Sequence, residues 1–186
     1  MTTIQTQQFE FVPFSQKQLS VLDWWLDPEV FNHDYNLNEL SKEHSPLLNR
    51  TDYESIICDG SIRAGKTLIM SMSYIMWSMT NYSEEQFGIA GKTIGSLRRN
   101  LVKPLKRMLV SRGYHVRDMR ADNELVITFG NNTNYYYLFG GKDEGSQDLV
   151  QGITTAGFFF DEVALMPESF VNQATARASV DGSKLW

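Results

Sequence analysis

The sequence predicts an α/β fold built on a mainly parallel sheet with helices on both faces. Three observations carry that prediction. An eight-residue glycine loop, Gly60-Ser61-Ile62-Arg63-Ala64-Gly65-Lys66-Thr67, joins a β-branched strand to an apolar helical run. Strand patterns alternate with helical patterns along the chain. The run Gly157-Phe158-Phe159-Phe160 is apolar throughout, as a strand covered on both faces must be.

A chain of 186 residues, 42% hydrophobic and 21% charged, is large enough for one domain with a real core. No apolar run approaches the ~20 residues that cross a bilayer, so no membrane association is expected. The first residues lack the basic-then-apolar pattern of a secretory leader. Cys58 is the only cysteine, which excludes an intrachain disulfide and suits a reducing compartment. The net charge of −5 argues against a broad, static nucleic-acid face and leaves local, transient or shared contact. His33, His44 and His115 are scattered without metal-ligand spacing.

Residues 13–26 place Leu19, Leu22 and Leu26 at helical spacing behind Ser15, a favourable N-cap, and predict a first helix. Residues 32–52 are polar, contain Pro46 and predict a loop or short turns. Residues 55–59 predict a strand around Ile56 and Ile57, and Lys66 opens a helix reaching about Met79. Residues 87–90 predict a second strand. Residues 93–112 predict a basic amphipathic helix with Leu97, Leu101, Leu105, Met108 and Leu109 as its apolar stripe and a kink at Pro104. Its cations either track phosphates or form a solvated face. Residues 125–129 and 135–139 predict a hairpin around Gly130-Asn131-Asn132. Residues 141–152 predict a glycine-punctuated loop with one helical turn at 147–150. Residues 157–160 predict an apolar strand, and residues 168–178 a polar helix.

The glycine loop fits G-x-x-x-x-G-K-[ST] at every fixed position, and each residue type has a physical reason. Gly60 and Gly65 permit torsions that a Cβ obstructs, so the amides from Ser61 through Ala64 can converge on phosphate oxygens. The following helix N-terminus favours an anion. Lys66 supplies a point charge for the β- and γ-phosphates, and the Thr67 hydroxyl suits Mg²⁺. Arg63 is either a solvated loop residue or a contact to the γ-phosphate from within the same subunit. Ala90-Gly91-Lys92-Thr93 repeats the end of the motif, but Gln86 stands where the first glycine belongs. It reads as a strand-to-helix turn, with Lys92 on the surface or facing DNA.

Asp161 and Glu162 follow the apolar strand at its C-terminal end, where ligands gather in open α/β sheets. Asp161 would serve the metal shell, and Glu162 would orient and deprotonate an attacking water. A glutamate there favours hydrolysis over transfer to another acceptor. The stretch Phe14–Gln18 lies just before the first helix, and a glutamine there, Gln18 in preference to Gln16, is either a surface residue or a reader of adenine through paired donor and acceptor contacts.

Asp59-Gly60-Ser61-Ile62-Arg63-Ala64-Gly65-Lys66-Thr67, together with the stretch DEVALMPESFVNQATARAS from Asp161 to Ser179, resembles the large terminase subunit of tailed bacteriophages, in the branch called PBSX-type. The resemblance implies a P-loop NTPase of the additional-strand, RecA-like class. It implies one ATPase domain over residues 1–186, with residues 1–52 as a helical, adenine-side segment and 53–186 as the nucleotide-binding core. It further implies ATP and Mg²⁺ as ligands, with Lys66, Thr67, Asp161 and Glu162 in the roles given and Arg63 acting in cis. Gln18 matches the adenine-reading glutamine. Arg177 matches a trans-acting finger, a DNA contact or a structural helix residue. Implied partners are double-stranded DNA, a portal protein, a small terminase subunit and further copies in a ring, in the cytoplasm of a bacterial host. Relatives continue into the end of the sheet and a nuclease domain, so nuclease activity is not expected in these residues. The function the resemblance implies is an ATPase motor that couples hydrolysis to translocation of double-stranded DNA into the capsid; two other functions fit the same motifs, a nucleotide-binding fragment without coupled turnover and a helicase-like ATPase.

Overall fold

The computed structural model describes residues 14–26, 53–60 and 64–186. The expectation for residues 32–52 lies outside them. The strands are β1 (Gln86–Gly91), β2 (His115–Met119), β3 (Glu124–Phe129), β4 (Asn132–Gly140), β5 (Gly157–Phe160) and β6 (Lys184–Leu185). They form one sheet in the order β2-β3-β4-β1-β5-β6. β4, β1, β5 and β6 run parallel, while β2 and β3 add an antiparallel flank. The hairpin and the strands at residues 87 and 157 lie where the sequence puts them.

β2 and β6 are additions to the sequence reading. β2 buries only Val116 fully, so its alternation is too sparse to read, and β6 is two residues long, shorter than any periodic signal. The strand expected over 55–59 reduces to a bridge: Ser55 pairs parallel with Leu185, and the Ile56 N–H donates to the Leu185 carbonyl at 3.0 Å. Ile57 is 85% exposed, so its β-branched character finds no sheet surface to cover. The bridge nonetheless fixes the topology. β6 stands between the segment that feeds the glycine loop and the strand that ends in the acidic pair.

The helices are α1 (Gln16–Leu22), α2 (Lys66–Asn81), α3 (Ile94–Leu97), α4 (Lys103–Val110) and α5 (Glu168–Arg177). α1 starts as expected on a capping box between Ser15 and Gln18, but it ends before residue 26. The Trp25 Nε1–H donates to the Leu22 carbonyl at 3.0 Å and closes the helix there. Between α3 and α4 the chain takes a π-helical turn, Arg98–Val102. Pro104 has no N–H to donate and its ring crowds the carbonyl four residues back; the wider turn relieves this where a sharp kink was expected. The stretch Glu144–Val150 is a 3-10 helix, longer than the single turn expected.

Phe158 and Phe159 enter opposite faces of the sheet, as period-two alternation requires. On one face α2 packs Ile69, Tyr74, Ile75 and Trp77 against Phe87, Ile89 and Phe159, with the buried stripe of α3 and α4 alongside. On the other face α5 packs Phe170 and Ala174 against Phe139 and Phe158. The buried Tyr74 hydroxyl donates to both the Gly88 carbonyl (3.0 Å) and the Gly157 carbonyl (2.8 Å), tying α2 to β1 and β5. Trp186, after β6, donates to the Ser73 hydroxyl at 3.2 Å, and Ser73 donates to the Leu22 carbonyl at 2.9 Å. Sheet, α2 and α1 are thus linked in series.

A Cβ at Gly88 would lie 2.2 Å from the Phe158 ring, which is fully buried and stacked on Phe160. Gly88→Ala should therefore destabilise the fold by about 1–3 kcal/mol through overpacking. Urea unfolding is the check, and an unchanged midpoint would contradict the packing described.

Candidate active site

The phosphate loop begins and ends on glycines at positive φ, a region that favours glycine: φ is +150° at Gly60 and +78° at Gly65. Gly65 is the N-cap of α2 and has no side chain to block the exposed amides of its first turn. Ser61, Ile62 and Arg63 lie outside the described residues, so both alternatives for Arg63 stand. Ala64 is exposed at the mouth of the helix. The Lys66 Nζ donates to the Gly60 carbonyl at 2.5 Å.

The acidic strand meets this loop directly. The Thr67 hydroxyl donates to Asp161 Oδ1 at 3.0 Å, joining residues 94 positions apart. Asp161 is held in place by its own N–H, which donates to the Ala90 carbonyl at 2.8 Å. Burial pushes the Asp161 carboxyl above its ordinary value; the Thr67 hydrogen bond opposes this and the neighbouring Glu162 reinforces it. A desolvated carboxylate beside a hydroxyl is a hard oxygen pair of the kind that binds Mg²⁺.

Glu162 is exposed and adopts a left-handed backbone, φ 60° and ψ 52°. For a residue with a Cβ this costs on the order of 1 kcal/mol or more, and such strain gathers at functional sites. The turn separates two adjacent carboxylates: Asp161 goes to the loop and Glu162 to solvent. Composition alone gave no signal for this conformation.

Gln18 also arrives at the loop. Its Oε1 accepts the Ser15 N–H at 2.9 Å, and its Nε2 lies 3.5 Å from where a Cβ on Gly65 would sit. The capping role occupies the oxygen and leaves the amide N–H groups facing the loop. Arg177 falls elsewhere: its carbonyl accepts the N–H of Thr155, which precedes β5, whereas Asp161 follows it. Six residues of extended chain, about 20 Å, separate the two ends. Arg177 is therefore remote from the site of its own chain. Thr93 caps α3 through its hydroxyl, which accepts the Ser96 N–H at 3.1 Å, and Lys92 is exposed, as a strand-to-helix turn requires. Among the described residues no His, Cys, Asp and Glu cluster has metal-site geometry. No helix there is long and apolar enough to cross a membrane.

The raised Asp161 value has a consequence for stability. A carboxyl whose value rises on folding stabilises the fold below its unfolded value, and that contribution is lost as pH rises through the folded one. Ionised Asp161 thus costs the ligand-free chain stability at neutral pH. Asp161→Asn should raise the melting temperature at neutral pH, with the difference closing below the ordinary value of 3.8. A variant that melts lower at neutral pH would show that the Thr67 bond outweighs burial.

Residues 57–185 match a family model described as terminase large subunit, T4-like-virus type, N-terminal. Structures of the large terminase from a thermophilic bacteriophage are similar. One crystal form is 63% identical over 94% of this chain and 38% of the other, with a TM-score of 0.77. The ADP complex of that terminase is 60% identical over the same shares, with a TM-score of 0.76. Its ATP-gamma-S complex is 59% identical over 94% of this chain and 37% of the other, with a TM-score of 0.74. The chain therefore spans well under half the length of the relatives it matches. No curated protein sequence matches. The additional strand between the loop segment and the acidic strand places the fold in the P-loop NTPase class. With these likenesses beside it, the chain belongs to the phage terminase large-subunit family, in its N-terminal ATPase portion.

Proposed function

We propose that this chain hydrolyses ATP and that the energy drives double-stranded DNA into a phage capsid. The observation that carries the reading is the 3.0 Å hydrogen bond from Thr67 to Asp161, which brings the phosphate loop and the acidic strand into one site. Complexes of the thermophilic phage's large terminase with ADP and ATP-gamma-S support a nucleotide as the ligand here.

In this reading the amides of Gly60 to Lys66 surround the β- and γ-phosphates, assisted by the dipole of α2. Lys66 exchanges the Gly60 carbonyl for phosphate oxygens and offsets charge as it moves to the leaving group. Thr67 and Asp161 would hold Mg²⁺, which when bound withdraws charge from the bridging phosphates. Glu162, exposed by its left-handed turn, accepts a proton from the water that attacks the γ-phosphorus. Arg63 stabilises the transferring phosphoryl from within the loop. The Nε2 of Gln18 donates toward the adenine.

The same reading takes a ring of copies on a portal protein, a small terminase subunit and the bacterial cytoplasm as its setting. No nuclease site is proposed within residues 1–186.

Glu162→Gln should keep ATP affinity within a few-fold and lower turnover by roughly 10²–10⁴, the usual worth of a positioned base. Lys66→Ala should lose both affinity and turnover. Phosphate release and titration calorimetry measure the two. Parental turnover in Glu162→Gln would remove Glu162 as the base. Tight ATP binding with no release in the unaltered chain would select a binding fragment over a hydrolase.

A further inference from the structure

The run Ile94–Val110 presses its apolar stripe into the core and turns its other face outward beside β2. A groove of about 850 Å³ opens there. Arg98, Arg99, Lys103, Lys106, Arg107 and Arg120 line it, against the single carboxylate of Asp118. The chain as a whole is acidic, with 22 Asp and Glu against 17 Lys and Arg, so this concentration of cations is a local departure from the average.

Asp118 does not neutralise the groove. It accepts from Arg98 at 2.5 Å and lies 3.6 Å from Arg120. Among the described residues Arg99, Lys103, Lys106 and Arg107 form no ion pair. Arg99 with Lys103, and Lys103 with Arg107, are like charges four positions apart, an arrangement that opposes a helix. A polyanion in the groove would relieve that repulsion. Arg98 is the exception: fastened to Asp118, with Asn123 Oδ1 3.4 Å from its other terminal nitrogen, it forms a rigid wall.

The lining also narrows the ligand. It contains no aromatic ring, so bases have no stacking platform, as single strands usually require. It contains no Asn or Gln to pair with an adenine edge. Successive exposed cations follow one helical turn, about 5–6 Å, a spacing that suits repeated phosphates. The geometry points to the sugar–phosphate backbone of duplex DNA. The choice of DNA as the polyanion rests on the motor reading above; the groove and its charge do not.

The groove is joined to the nucleotide site by a short backbone route. The Asp161 N–H donates to the Ala90 carbonyl at 2.8 Å near the end of β1, and three residues later Thr93 caps the groove helix. Displacement of that helix by DNA would pull on the strand that positions the acidic pair. DNA in the groove therefore changes turnover as well as occupying a surface.

The test uses the full chain and a labelled duplex of about 30 base pairs, with anisotropy read across a salt series. Four phosphate contacts give a slope of log affinity on log salt of about −3.6. Arg99→Gln with Lys103→Gln should reduce its magnitude by about 1.8 and weaken low-salt binding at least tenfold, with ATP affinity unchanged and a melting temperature no lower than the parent's. The same pair should also lose any stimulation of phosphate release by duplex. Equal slopes in parent and variant would overturn the assignment. So would stronger binding of a single strand, or displacement of the duplex by polyglutamate at equal charge. Parental turnover in Glu162→Gln would count against the hydrolysis mechanism alone and leave these binding curves as they are.

Discussion

The contact between the Thr67 hydroxyl and the Asp161 carboxylate depends on a strand only two residues long. β6 holds the segment entering the phosphate loop one strand away from β5, so loop and acidic pair are separated by two strand spacings, about 9.6 Å. Were the two segments further apart, the first turn of α2 could not reach Asp161. Backbone hydrogen bonds pair it on both sides, the Leu185 N–H donating to the Glu54 carbonyl at 2.9 Å and the Trp186 N–H to the Phe158 carbonyl at 2.9 Å, and side-chain packing adds to them. Trp186 anchors its end, with its indole set among Trp24, Tyr74 and Trp77 and its N–H on Ser73.

The packing that secures β6 also secures the nucleotide site at its other end. Ser73 passes the hydrogen bond from Trp186 to the Leu22 carbonyl, which fixes α1 against α2. α1 in turn carries Gln18 to the end of the loop. The aromatic core is thus a positioning device for three separate parts of the site. The bifurcated Tyr74 hydroxyl adds a fourth constraint by joining β1, which holds the Asp161 N–H, to β5, which ends in Asp161.

The parts of this arrangement that the sequence displays are those with dense local signals. The loop motif carries four fixed positions, the β5 run is wholly apolar, and Leu97 to Leu109 repeats at helical spacing. What it conceals is set by partners far away in the chain. β6 exists because Gly157 and Phe158 offer it an edge, and its two residues have no period of their own. Arg98 reads as one more cation until β2 brings Asp118 to it from twenty positions away. The left-handed turn at Glu162 is imposed by the exit from β5 into the 3-10 helix Val163–Leu165, and a glutamate at that position gives no hint of it. Pro104 announces a disturbance without saying which kind; the surrounding core, which must keep Leu101 and Leu105 buried together, selects a π turn over a bend.

Two of the site's features carry an energetic cost to the ligand-free chain, and they are adjacent. Asp161 sits in a half-buried position that disfavours its charged form, and Glu162 sits in a backbone conformation that its Cβ resists. Neither is needed to fold an α/β sheet. Both make sense if a cation and a triphosphate arrive to meet them, since a cation offsets the desolvated charge and a fixed turn spares the reaction from ordering the second carboxylate. The groove on the helix after β1 follows the same pattern, with uncompensated like charges on a helix face. Both places thus carry, in the free protein, a local cost that the fold itself does not require. Ala90 touches Asp161 and Thr93 starts the groove helix, so only a few residues of backbone separate the two ends.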